Sequence, residues 1–120
     1  MRKCILVVED HPDVRAMMKT MVETSGHRAI EARDGYEAVI EAREHSPDLI
    51  LMDLAMPVLD GAAATRKIKK LENCSDVPVV AVTAYNHRRE EALDAGCIEV
   101  IAKPVELTTL QEMIDNILFN

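Results

Sequence analysis

The sequence predicts a doubly wound α/β domain: one five-stranded parallel sheet, order 2-1-3-4-5, with helices on both faces. Short apolar runs of strand length recur along the chain, at residues 4–8, 49–52, 79–82 and 100–102. Between them, apolar residues fall at helical spacing. Each run also stops at a chemically capable side chain: Glu9-Asp10, Asp53, Thr83 and Lys103-Pro104. If the runs are parallel strands, these ends share one edge of one sheet, where open α/β folds bind ligands. Three acids, a hydroxyl and an amine then meet in one shallow cleft.

The first strand is Cys4-Ile5-Leu6-Val7-Val8. After Asp10, Pro12 sits where a first-turn proline is tolerated, and Val14, Met17, Met18, Met21 and Val22 stripe a helix of about four turns up to the stop signal Ser25-Gly26. Residues 27–32 read as a short second strand. Asp34-Gly35 turns into a helix carrying Ala38, Val39 and Ala42, which ends near Ser46-Pro47. Asp48 leads into the third strand, and Met56-Pro57 with Asp60-Gly61 marks the loop after Asp53. A third helix covers 62–71, a fourth strand 77–82, and a fourth helix 86–95 closed by Gly96. Residues 98–102 form the fifth strand. Leu107, Leu110, Met113, Ile114, Ile117 and Leu118 stripe the last helix.

Strictly alternating strands and helices imply right-handed crossovers and helices on both faces. Periodicity does not give the strand order. Of the common doubly wound orders, 2-1-3-4-5 suits five strands and puts its switch point between strands one and three, the two that end in acids.

Composition bounds the function. A 120-residue chain fits one domain, 1–120, with no room for a second, and its apolar fraction of 48% supports one aliphatic core. A net charge of -7 argues against direct nucleic-acid binding, and the one dense basic run, Arg66 to Lys70, reads as a solvated helix face. Three cysteines without a CxxC spacing indicate neither a disulfide framework nor a zinc site, and so a reducing compartment. No apolar run approaches the roughly 20 residues of a membrane span, and no signal-peptide pattern follows Met1-Arg2-Lys3. The expected protein is cytoplasmic, without membrane or nucleic-acid partners.

The chemistry follows from charge. Three carboxylates within a few ångströms repel one another by an amount on the order of several kcal/mol per pair, so they need a cation or shifted pKa values. Oxygen ligands without Cys or His select a hard ion, Mg2+ or, in its place, Mn2+. Mg2+ commonly also takes a phosphate oxygen, which implies a phosphate-bearing ligand.

In combination these residues resemble the receiver domain of two-component response regulators, with its flavodoxin-like fold. The resemblance runs over the whole chain: the acid pair Glu9-Asp10, the segment Leu51-Met52-Asp53-Leu54-Ala55-Met56-Pro57 followed by Asp60-Gly61, then Thr83-Ala84 and Lys103-Pro104. It implies that Asp53 accepts a phosphoryl group from a histidine of a sensor kinase or phosphotransfer protein. It further implies that Asp10, Asp53 and the backbone carbonyl of Ala55 bind Mg2+ directly, with Glu9 acting through water. Lys103 supplies positive charge to the transferring oxygens, and Thr83 donates a hydrogen bond to the phosphoryl group once it is on Asp53. The Lys103-Pro104 bond is expected to be cis. The output is a contact with a downstream protein, from a monomer or weak dimer, and the only chemistry catalysed is the domain's own phosphorylation and dephosphorylation.

One position departs from the family pattern. Three residues before the lysine, where the family commonly carries Tyr or Phe as half of its switch, stands Val100, whose short, stiff side chain cannot swing from solvent to pocket. Tyr85 is the nearest alternative, read as a partly exposed residue flanking the pocket. Among the remaining candidates, His11 reads as a loop residue, His27, His45 and His87 lie near element ends, Met17, Met18 and Met21 read as core filler, and Cys97 as a small buried apolar residue.

Three rival functions stay open. A phosphorylation-independent interaction module gains weight from the missing aromatic. A haloacid-dehalogenase-like phosphatase needs a second Asp two residues after the nucleophile, where Ala55 stands. A flavin module needs a Ser/Thr/Gly-rich loop after strand one, where Glu9-Asp10-His11-Pro12 stands. The chain is either a free-standing receiver or a domain of a larger regulator or hybrid kinase.

Overall fold

The computed structural model describes residues 1–84 and 88–120. In chain order the elements are β1 (Cys4–Val8), α1 (Pro12–Thr24), β2 (Arg28–Ala32), α2 (Gly35–His45), β3 (Leu49–Asp53), α3 (Gly61–Lys69), a 3-10 turn (Glu72–Cys74), β4 (Val79–Thr83), α4 (Arg89–Ala95), β5 (Glu99–Ala102) and α5 (Leu107–Phe119). All strand pairs are parallel and the sheet order is β2-β1-β3-β4-β5. The radius of gyration, 12.6 Å, is that of a sphere-like chain of this length.

Strand periodicity splits the core in two. In β1, Ile5 and Val7 face one side with Leu49, Leu51, Val80 and Val82, and there they meet Met18 and Val22 of α1 and Leu110, Met113 and Ile114 of α5. Leu6 and Val8 face the other side with Ile50, Met52, Val79 and Ala81, against Ala38 and Ala42 of α2, Ala64 and Ile68 of α3 and Ala92 of α4. Strands buried on both faces explain why β1, β3 and β4 read as unbroken apolar runs rather than alternating ones. β5, at the sheet edge, is only partly covered.

Element ends differ from the sequence reading for local reasons. The His11 side chain, read from sequence only as a loop residue, caps α1: Val14 N–H donates to Nδ1 at 3.4 Å. Both Asp-Gly pairs are a cap followed by the first helical residue. Asp34 Oδ1 accepts from Glu37 N–H at 2.8 Å, and Asp60 Oδ1 accepts from Ala63 N–H at 2.9 Å. Pro78 has no N–H for the ladder, so β4 begins at Val79 although Val77 is buried. The 3-10 turn went unread; its Asn73 side chain donates to Arg43 O and Ser46 Oγ and so closes the end of α2. The sequence-based start of the fourth helix at Asn86, with Tyr85 and His87, lies outside the described residues.

Met18 is buried and Met21 half-buried, as core filler should be, but Met17 is exposed and leaves the core. Lys69 is not simply solvated, since its Nζ donates to Val77 O at 2.7 Å. His27 is buried at the entrance of the sheet, where Nδ1 accepts from Lys3 N–H at 3.0 Å and the ring stacks on Phe119.

Val58 stands out. Its φ is 70°, in the left-handed region that β-branched residues avoid, and Leu59 N–H donates across it to Pro57 O at 2.9 Å, an i to i+2 turn. The side chain is 87% exposed, so no apolar contact holds it there. Val58→Asn, which tolerates this conformation, should therefore stabilise the fold by about 1 kcal/mol, read as a higher urea midpoint at unchanged slope.

Candidate functional site

Register alone brings the strand ends together. Val8 lies opposite Met52, so Glu9 emerges level with Asp53; Asp53 lies opposite Val82, one residue short of Thr83; Thr83 lies opposite Ala102, one residue short of Lys103. The carboxylates of Glu9, Asp10 and Asp53 each offer an oxygen within 4.8 Å of the others. Lys103 Nζ is 2.7 Å from Glu9 Oε1 and 3.3 Å from Asp53 Oδ1. Ala55 N–H donates to Asp53 Oδ1 at 3.2 Å, and the Lys103-Pro104 peptide is cis. Glu9, Asp53 and Thr83 are buried, while Asp10 is exposed at the cleft mouth.

Burial and mutual charge set the protonation states. Removal from water and the neighbouring Glu9 push the Asp53 carboxyl up to about 7, against the pull of Lys103 and the Ala55 N–H. Burial also presses on Glu9, but its interactions with Asp53 and Lys103 outweigh it and hold that group at about 2. Lys103 stays charged, its desolvation overcome by its two carboxylate partners. Asp53 is thus the acid that is harder to ionise, because a single ammonium cannot balance three acids. Three clustered oxygen donors with no Cys or His fit a hard divalent cation.

Three supporting residues escaped the sequence reading. Arg15 of α1 donates from Nη1 to Glu9 O at 3.0 Å and pairs with Glu31 at 3.4 Å, fixing the segment that carries both acids. Its signal was an arginine on the inward side of an otherwise apolar helix stripe. Gly61 begins α3 against the backbone of β3: a Cβ there would strike Asp53 O and Leu54 Cα. From sequence alone the Asp60-Gly61 pair reads as loop punctuation. Arg88 joins Asp60 at 3.5 Å and Glu91 at 2.7 Å beside the cleft. Val100, by contrast, is a half-buried β5 residue packed on the face of the sheet covered by α2, α3 and α4.

Comparison with known proteins agrees with this arrangement. Residues 5–115 match the family model of the response regulator receiver domain. The chain belongs to that family: it is a receiver domain of the two-component response regulators. The polar-differentiation response regulator DivK of Brucella ovis is 37% identical to it over 120 aligned residues, 98% of each protein. The crystal structure of the receiver domain of sensor histidine kinase PA1611 from Pseudomonas aeruginosa, with a magnesium ion coordinated in its active-site cleft, superposes with a TM-score of 0.92 at 37% identity over all of both chains. The chemotaxis protein CheY4 of Vibrio cholerae, at 23% identity over 98% of this chain and 100% of that one, shares the fold with a TM-score of 0.92. Receiver domains are signalling domains that interact with histidine kinases or phosphotransfer proteins. No helix among the described residues is long and apolar enough to cross a membrane.

The carboxyl cluster predicts a pH profile for the metal-free protein. The folded Asp53 binds its proton more tightly than the unfolded chain does, so its contribution to stability is complete below about 4 and is lost as pH rises through about 7. At about 1.4 kcal/mol per pH unit the loss is on the order of 2–4 kcal/mol. Glu9 acts oppositely, its contribution vanishing only as pH falls from about 4 towards 2. Urea melts of Asp53→Asn should lack the decline between pH 4 and 7, and millimolar Mg2+ should offset part of it in the parent chain by adding about 1–3 kcal/mol of stability at neutral pH.

Proposed function

We propose that residues 1–120 act as one receiver domain that takes a phosphoryl group onto Asp53 from a phosphohistidine of a sensor kinase or phosphotransfer protein. One observation carries the reading: a buried Asp53 flanked by two further carboxylates and by the Lys103 ammonium at 3.3 Å. An Asp53 oxygen forms the new P–O bond while the P–N bond to the donor imidazole breaks, its electron pair returning to the ring nitrogen. Mg2+, held by Asp10, Asp53 and the Ala55 carbonyl with Glu9 behind them, would supply the positive charge that such a transfer needs. Mn2+ has the same ligand preference and would substitute. Lys103 neutralises the incoming oxygens from the other side. Ala55 N–H orients the attacking carboxylate, and Thr83, at the end of the adjacent strand, receives the phosphoryl group with its hydroxyl.

The fold supports this over catalytic turnover. The position two residues after Asp53 is Ala55, with no side chain to act as acid or base towards the acyl phosphate. The protein is therefore a carrier and reporter of the phosphoryl group, working on itself and signalling by contact with a downstream protein in the cytoplasm.

An apolar hollow of about 230 Å3 lies beside the site, lined by Val14, Met17, Met18, Pro104 and Val105 with Lys103 at its rim. It fits the apolar face of the histidine-bearing partner, which must approach within bonding distance of Asp53. The exposure of Met17 then has a use, as an anchor rather than core.

Two measurements check the proposal. With Mg2+ and a small phosphodonor such as phosphoramidate, intact mass should rise by one phosphoryl group; Asp53→Asn should show no gain, Lys103→Ala a rate lower by about tenfold or more, and Thr83→Ala a gain without its full structural response. Uptake by Asp53→Asn at the parent rate would falsify the acceptor assignment. Met17→Asp should slow transfer from a protein phosphohistidine by about tenfold, the effect of burying a charge at a contact, while leaving uptake from phosphoramidate unchanged.

A further inference from the structure

A cation other than Lys103 stands beside the site. Arg88, with its side chain only 18% exposed, immediately precedes α4 and spans two elements: its Nη2 is 2.7 Å from Glu91 Oε1 and 3.5 Å from Asp60 Oδ2, and Nε lies 3.5 Å from Glu91 Oε2. Asp60 is the residue whose other oxygen caps α3 at the end of the loop leaving Asp53. The guanidinium therefore bridges the acceptor's own loop and the first turn of α4.

It also stands in the field of Asp53. Its proton is held above the usual arginine range, first by the hydrogen bond to Glu91, against the opposing effect of burial, and then by the charges of Glu91, Asp60 and Asp53. α4 itself is weakly anchored: over its seven described residues it buries only Ala92 and Ala95, and no side chain caps its start. Two alanine methyls bury little apolar area, so a local ion pair decides much of where this helix begins.

We propose that Arg88 is the side chain through which a phosphoryl group on Asp53 acts on α4: the added negative charge draws the guanidinium off Glu91, and the first turn of α4 shifts with it. The inference rests on the phosphoacceptor reading above. A phosphoryl group brings a charge of about -2 at neutral pH, and at a site largely shut off from solvent its attraction for a guanidinium is screened less than that of the exposed Glu91 carboxylate. A state change requires an interaction that differs between the two states. With Val100 at the position of the usual aromatic, Arg88 supplies one.

The test uses Mg2+ with beryllofluoride, a phosphoryl mimic, and follows the amide shifts of Arg89–Ala95. In the parent chain these amides should move when the mimic binds. In Arg88→Gln the α4 shifts should shrink at least about twofold while those of the loops after β1 and β3 persist, and Arg88→Lys, which keeps the charge, should restore part of them. Glu91→Gln, which frees the guanidinium, should tighten mimic binding by about two- to fivefold, the factor carried by a partly exposed ion pair. Parent-like α4 shifts in Arg88→Gln, or a mimic-bound parent chain whose α4 does not move, overturn the proposal. An Arg88→Gln chain that no longer takes the mimic also overturns it, because acceptance and transmission would not be separable. A parent chain that gains no phosphoryl group and binds no mimic overturns the phosphoacceptor reading itself.

Discussion

The contact between Lys103 and Glu9 joins residues 94 positions apart, and the site depends on it. Glu9 is 1% exposed, and an ionised carboxylate so deeply placed costs several kcal/mol unless a countercharge and hydrogen bonds replace its water. Lys103 provides the charge, and His11 N–H adds a longer donor at 3.4 Å. The first and the last strand exits are thereby pulled together across β3 and β4, whose Asp53 and Thr83 lie between them. Without that ammonium, Glu9 and Asp53 would compete for one proton with only the backbone donors His11 N–H and Ala55 N–H to bias the outcome.

The two-sided core makes this arrangement rigid where it must be and loose where it can be. β1, β3 and β4 are sealed by helices on both faces, so the backbones carrying Glu9, Asp53 and Thr83 have fixed spacing. β5 is open at one edge, and α4 rests on small side chains. A change of charge at the centre meets least resistance on that side.

Much of this was legible in the sequence because it depends on few physical signals. Doubly buried strands must be apolar along their length, so β1, β3 and β4 declared themselves; their exits followed, and with them Glu9, Asp10, Asp53 and Thr83, while Lys103 was legible from the shorter run Val100-Ile101-Ala102 before it. What stayed hidden depends on contacts between distant segments. Arg15 looks like any helical arginine until β1 places the Glu9 carbonyl beside it. Gly61 resembles turn punctuation until α3 rests on β3. Asn73 and Ser46 are ordinary loop residues until they meet at the end of α2. Met17 obeys the helical period of α1, but that period defines a stripe wider than the core, and it falls on the outer margin.

The bare α-carbon of Gly61 makes movement around Asp53 one-sided. α3 lies so near the Asp53 carbonyl that even a methyl group would not fit between them. Close-packed interiors do not compress, so this helix has no inward travel left. It backs Asp53 as an anvil: whatever reorganisation the site undergoes must be taken up away from α3, where the edge strand β5 is only partly covered.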